Sequence, residues 1–149
     1  IDMLKNYKRF GWDGVSMRGD RFFDASTNIR DDEYGGDVAG RARLFYECFK
    51  RIKEEIGEDF ICEVAMPYEQ LHGHDCQIPH GYSQDEMIEF IKILEPYIDI
   101  VELRETPGSG YQNHGYNSTL TEHKVLLGAK ALRDAGFGKI IAVHGGFND

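Results

Sequence analysis

Phe60-Ile61-Cys62-Glu63-Val64-Ala65-Met66 is a run of strand length with a single charged residue, Glu63. Nearly continuous apolar character over such a length fits a strand covered on both faces, the pattern of parallel sheets. The flanks agree. Upstream, Val38, Ala42, Phe45, Phe49, Ile52 and Ile56 form the apolar stripe of a helix over Asp37–Ile56, and Gly57 ends it. Downstream, Pro67–Tyr82 is polar and aperiodic, a long loop. Ser83-Gln84-Asp85-Glu86 then reads as a capping box, in which the Ser oxygen and the Glu carboxylate satisfy free amides at a helix start. Tyr82 and Met87 are placed to staple that entry, and Pro96 stops a helix that runs to about Leu94.

The same unit recurs on both sides. Met3, Leu4, Tyr7 and Phe10 give Ile1–Phe10 an amphipathic helical pattern, closed by Gly11. Gly14–Arg18 reads as a strand and Gly19–Gly36 as a long loop. Ile98–Arg104 is a third strand, Glu105–Ser118 a third loop, and Thr119-Leu120-Thr121-Glu122 a second capping box opening a helix to about Ala135. Gly136 ends that helix and Lys139–Val143 is a fourth strand. Strand starts near 14, 60, 98 and 139 lie 46, 38 and 41 residues apart. The order αβαβαβαβ predicts an α/β fold with four parallel strands and right-handed crossovers. Every long loop follows a strand, so function is expected at the C-terminal strand ends. No linker or composition shift divides the chain, and residues 1–149 read as a single piece.

Composition narrows the function. The chain has 149 residues, a net charge of −9, 41% hydrophobic and 29% charged residues. That describes a folded globular chain. The negative balance argues against nucleic acid and anionic membranes as partners. No apolar run approaches the roughly 20 residues of a membrane span. Cys48, Cys62 and Cys76 are odd in number and lack C-x-x-C spacing, which argues against a disulfide framework. With no basic leader followed by an apolar block, a cytoplasmic protein is expected.

The densest motif is Asn28-Ile29-Arg30-Asp31-Asp32-Glu33-Tyr34-Gly35-Gly36-Asp37, followed by Arg41-Ala42-Arg43. Asp32 and Glu33 are within reach of Arg30, Arg41 or Arg43, and the glycines allow a tight turn into the helix. Such a network holds a loop more readily than it performs a reaction. Together with Gly11-Trp12-Asp13-Gly14-Val15, Gly57-Glu58-Asp59-Phe60-Ile61 and Gly145-Gly146-Phe147, this motif resembles the Old Yellow Enzyme family of flavin oxidoreductases. The likeness is to the branch of 2,4-dienoyl-CoA and enoate reductases, and it covers nearly the whole chain.

The resemblance implies a fold, cofactors and site residues. The fold would be a partial (β/α)8 TIM barrel, with this chain supplying about strands four to seven, or half of an FMN-binding domain. The cofactors would be FMN and an NAD(P)H reductant, with an iron–sulfur cluster possible elsewhere in the parent chain. Backbone amides at Gly145 and Gly146 would hold the FMN phosphate. The family's substrate-binding His after strand four is replaced by Arg18, with Arg21 three residues on and no Tyr following. Arg18 would polarise a carbonyl or bind a carboxylate. A flavin-facing Arg of strand five is replaced by Val64, which leaves Arg104 at the end of strand six to supply the charge. His114 or Tyr111 would donate the proton.

The expected activity of the parent is therefore FMN-dependent reduction of an activated C=C bond in a small-molecule substrate. The isolated stretch is expected to be inactive. The alternative is a flavin-barrel homologue that has lost reductase chemistry and serves as a binding or structural module. His72, His74, Asp75, Cys76 and His80 bring metal-ligating side chains into one loop, but their spacing matches no zinc pattern, so no metal site is assigned. Nothing in the sequence sets the oligomeric state.

Overall fold

The computed structural model describes residues 1–68, 70–71, 80–104 and 124–144. Its elements are α1 (Asp2–Arg9), β1 (Gly14–Arg18), α2 (Asp20–Phe23), α3 (Val38–Ile56), β2 (Ile61–Pro67), β3 (Gln70–Leu71), β4 (His80–Tyr82), α4 (Gln84–Leu94), β5 (Ile100–Arg104), α5 (Lys124–Asp134) and β6 (Ile140–His144). The strands β1-β2-β5-β6 form one sheet in that order, and every neighbouring pair is parallel. The four expected strands are thus present and consecutive.

The helices form where the sequence places them. Asp37 caps α3 by accepting from the Gly40 amide at 2.8 Å. Gly36 reaches φ 75° just before the cap, a region in which a side chain is strained. The Ser83 box closes in both directions: Ser83 Oγ accepts from the Glu86 amide at 3.2 Å, and Glu86 Oε2 accepts from the Ser83 amide at 2.9 Å. The Thr119–Glu122 box lies outside the described residues.

One core joins sheet to helices. Cys62, Val64 and Met66 of β2 and Val101 and Leu103 of β5 are buried against Phe45, Phe49 and Ile52 of α3 and Phe90, Ile91 and Leu94 of α4. Val125 and Leu132 of α5 complete it. Burial pushes the Cys62 thiol up to about 11, so it is an inert apolar group in this setting. Cys48 is half-buried, and Cys76 lies outside the described residues.

The described helices pack on one face of the second strand, and on its other face Ala65 is 4% exposed and Ile61 39%. Three expectations change. The amphipathic pattern of α1 does not produce a buried face: none of its residues is buried, and Phe10 just beyond it is 72% exposed. Leu4 packs only partly buried against the core, and ion pairs add to the hold on α1, Lys5 to Glu55 at 3.0 Å and Lys8 to Asp59 at 2.7 Å. The first loop contains the one-turn helix α2, because Phe22 and Phe23 turn inward onto Phe45, Phe90 and Tyr82. The second loop contains the antiparallel pair β3–β4. Tyr82 anchors that pair by donating its hydroxyl to the Pro67 carbonyl at 3.1 Å.

Candidate functional site

Alternation along each strand gives the sheet a second face, opposite the helices. Register aligns this face in rows. Ser16, Glu63, Ile100 and Ile140 lie in one row, and Arg18, Ala65, Glu102 and Ala142 in the next. Pro67, Arg104 and His144 form the row at the C-terminal edge. Charge therefore gathers toward the strand ends, where α/β folds place their chemistry.

The polar groups of this face are linked. Ser16 Oγ donates to Glu63 Oε1 at 2.6 Å. Glu102 Oε1 lies 3.8 Å from Arg104 Nε and 3.7 Å from His144 Nδ1. Arg104 Nη2 also donates to the Ala65 carbonyl at 3.5 Å. Arg18, at the end of β1, is exposed.

Of the residues singled out from sequence, Arg18 and Arg104 therefore share one edge and one face, separated by β2. Tyr111, His114, Gly145 and Gly146 lie outside the described residues, as do positions 72–79 of the histidine-rich loop. Among the described residues no group of metal-ligating side chains is assembled. Val64 is not on this face: it is 0% exposed in the helix-side core. Its neighbours Glu63 and Ala65 lie on the open face instead, and β2 places no cation there. Sequence reasoning missed Ser16, Glu63, Glu102 and His144. Their signal was alternation within each strand, which becomes readable once neighbouring registers are known.

The Asn28–Asp37 motif holds a loop. Asn28 Nδ2 donates to the carbonyls of Phe22 and Tyr34, both at 2.8 Å. Arg30 pairs with Asp32, and that guanidinium holds the Asp32 carboxyl below its ordinary range. Tyr34 donates its hydroxyl to Glu47 Oε2 at 3.0 Å, which pushes the phenol up. Arg41 does not pair with the motif's acids. It donates to the Gly36 carbonyl at 2.6 Å and to Glu86 Oε1 at 2.7 Å, over the ring of Phe23.

No family model matches the chain. It is 31% identical over 112 residues to the NADH-dependent flavin oxidoreductase nadA of Aspergillus parasiticus, covering 70% of this chain and 23% of that protein. Its fold superimposes on 2-naphthoyl-CoA reductase with a TM-score of 0.76 at 24% identity, over 93% of this chain and 21% of that one. The Old Yellow Enzyme homologue of Zymomonas mobilis superimposes with a TM-score of 0.66 at 22% identity, over 97% of this chain and 39% of that one. The chain is Old Yellow Enzyme-like. Its four β/α units are part of a (β/α)8 barrel fold. The Old Yellow Enzyme-like stretch spans well under two thirds of each of these proteins. In such a barrel the open face of the sheet is the lumen, and its charged edge is the mouth. No helix among the described residues is long and apolar enough to cross a membrane.

Proposed function

We propose that the chain is part of an FMN-dependent, NAD(P)H-linked oxidoreductase that reduces an activated C=C bond of the enoate, enone or dienoyl type. The observation that carries this reading is the pair of cations, Arg18 and Arg104, at the strand-end edge of a sheet similar to that of flavin oxidoreductases. The residues present fit the cofactor: a reduced flavin is anionic at its pyrimidine end and wants a cation beside it, and Arg104 is such a cation at the mouth. FMN, when bound, supplies hydride transfer between nicotinamide and substrate. Backbone amides at Gly145 and Gly146 would hold its phosphate.

The remaining roles belong to side chains of this chain. Arg18 holds the substrate's carbonyl or carboxylate oxygen with its fork of donors and stabilises charge that develops there. His114 or Tyr111 protonates the α-carbon. Residues 1–149 contribute about half of the barrel domain, and an iron–sulfur cluster would belong to sequence outside this stretch. The proposed parent protein acts in the cytoplasm on a small unsaturated molecule.

The test is the visible spectrum of the full-length protein purified with FMN supplied, followed by turnover of enoates and enones with NADH or NADPH. The expected result is a bound flavin and reductase activity, with Arg18→Ala lowering kcat/KM by about a hundredfold. Absence of flavin absorbance would sink the reading and favour a barrel homologue retained as a binding or structural module.

A further inference from the structure

Among the described residues of the open face, Arg18 is the cation left without a hydrogen bond or ion pair. We propose that the parent protein selects substrates with a free carboxylate, α,β-unsaturated acids in preference to neutral ketones or thioesters, and that Arg18 sets this choice by holding both carboxylate oxygens. This narrows the reductase reading to one substrate class and rests on it.

The backbone around Arg18 is fixed. Arg18 pairs with Ala65 in the β1–β2 register, and the Gly19 amide donates to the Ala65 carbonyl at 3.2 Å. Gly19 is buried, and its carbonyl accepts from the Phe23 amide at 3.0 Å as the chain enters α2. Met17 packs against the helix-side core, so alternation puts Arg18 on the open face. A side chain carried by a strand end pinned on both sides holds a ligand in one place.

The acids of the face are engaged elsewhere. Across β1 and β2 Arg18 meets Ala65, which carries no charge. Glu63, in the next row, accepts from Ser16 Oγ at 2.6 Å. Glu102 shares the row of Arg18 but belongs to β5, with β2 between them. Two strand spacings put it about 10 Å away along the sheet. Its Oε1 is instead 3.8 Å from Arg104 Nε. Arg18 thus keeps its charge and its fork of donors for a ligand.

That fork decides between ligand classes. Two parallel N–H groups of a guanidinium match the two oxygens of a carboxylate. A ketone or thioester offers one neutral oxygen, fills half of the fork and leaves the charge unpaired. Reactivity follows the same division. A carboxylate makes the adjoining C=C bond a poor hydride acceptor, because the group is already negative. A guanidinium on its two oxygens offsets that charge and stabilises what develops as hydride arrives. The reaction is otherwise unchanged. A hydride whose two electrons come from NAD(P)H adds to the β-carbon and a proton adds to the α-carbon. Both carboxylate oxygens remain, and one NAD(P)H and one proton are consumed. Arg18 forms and breaks no covalent bond.

The experiment uses the full-length protein with FMN and three matched pairs of acid and methyl ketone: crotonate with pent-3-en-2-one, cinnamate with 4-phenylbut-3-en-2-one, and sorbate with hepta-3,5-dien-2-one. In the pair turned over fastest, wild type is expected to favour the acid at least about tenfold in kcat/KM. Arg18→Gln keeps an amide donor without the charge, and should lower the acid rate at least about tenfold more than the ketone rate. Arg18→Lys keeps the charge without the fork, and should retain part of the preference. Acids no better than their ketones in wild type across the three pairs, or equal losses for acid and ketone in Arg18→Gln, would overturn the proposal. Failure of the reductase reading shows separately, as absence of flavin absorbance. Calorimetry with the three acids then still decides whether Arg18 holds a carboxylate. Binding weakened at least about tenfold in Arg18→Gln supports it, and binding that is unchanged there, or absent in wild type for all three, overturns it.

Discussion

Arg41 Nη2 donates to Glu86 Oε1 at 2.7 Å and so ties the first turn of α3 to the first turn of α4. Glu86 serves two partners, because its other oxygen accepts from the Ser83 amide that begins α4. Arg41 serves three, adding the Gly36 carbonyl and the Phe23 ring. The loop after β1, α3 and α4 are thus joined at one guanidinium. All three lie at the C-terminal side of the sheet, so this joint frames the mouth without entering it.

Replacing Arg41 by Met keeps apolar volume but deletes the joint. The Arg41 side chain is 5% exposed and that of Glu86 36%. Breaking a buried pair typically costs about 3–5 kcal/mol, and partial exposure of one partner reduces this. Arg41→Met is expected to destabilise the full-length protein by roughly 2–3 kcal/mol in urea unfolding. A loss below about 0.5 kcal/mol would show that the pair holds nothing together.

The same joint makes stability depend on pH. Burial favours the neutral Glu86 carboxyl, but the Ser83 amide and hydroxyl and the Arg41 guanidinium outweigh it and hold the group below its ordinary value of 4.5. A lowered folded-state value means that the contribution is complete above the unfolded value and disappears as pH falls through the folded one. Wild type should therefore exceed Glu86→Gln in stability near neutrality. The gap should close as pH is lowered from about 5, read from unfolding midpoints at successive pH values. A constant gap would contradict this assignment.

How much of this was legible beforehand follows from the range of each interaction. Helix limits and strand order depend on local pattern and capping, and Asp37, Gly57 and Ser83 stand where their side chains or φ angles require. The exposed side of α1 was not legible, because Met3 and Phe10 have helical spacing whether or not anything covers them. Glu102 and His144 were hidden for another reason. Their proximity depends on β5–β6 register, which no single strand encodes. Arg41 was read as a loop partner because Asp32 and Glu33 are near in sequence, whereas its carboxylate partner is 45 residues away.

The opposite end of the sheet should govern stability without touching activity. Lys53 Nζ donates to Asp99 Oδ2 at 2.7 Å and to the carbonyls of Glu58 and Phe60, both at 3.0 Å. Asp99 Oδ2 also accepts from the Cys62 amide at 2.8 Å. Asn at this position keeps an acceptor for that amide but leaves the buried ammonium without a counter-charge. Asp99→Asn is expected to cost about 2–4 kcal/mol. Below its unfolding transition the variant should keep wild-type kcat/KM, because the N-terminal strand ends of a barrel serve stability. A fall in kcat/KM with unchanged stability would reverse that division.

The close approach of Gly81 to Asp24 yields the sharpest steric test. A Cβ at Gly81 would lie 2.5 Å from the Asp24 carboxyl carbon and 2.5 and 2.7 Å from its oxygens. Asp24 is buried, and its Oδ1 accepts from the Ser26 amide at 2.7 Å and the Ser26 hydroxyl at 2.5 Å. It cannot swing aside without giving up those bonds. The Ala25 amide also donates to the Gly81 carbonyl at 2.7 Å, so pushing the two backbones apart breaks the link between the first loop and β4. Gly81→Ala is therefore expected to destabilise by about 1–3 kcal/mol, as overpacking does. Gly138 is the control, since a Cβ there meets nothing within 4 Å and its φ is not positive. Gly138→Ala should change stability by no more than about 0.5 kcal/mol. Equal effects at the two glycines would mean that the loop and β4 are not in the contact described.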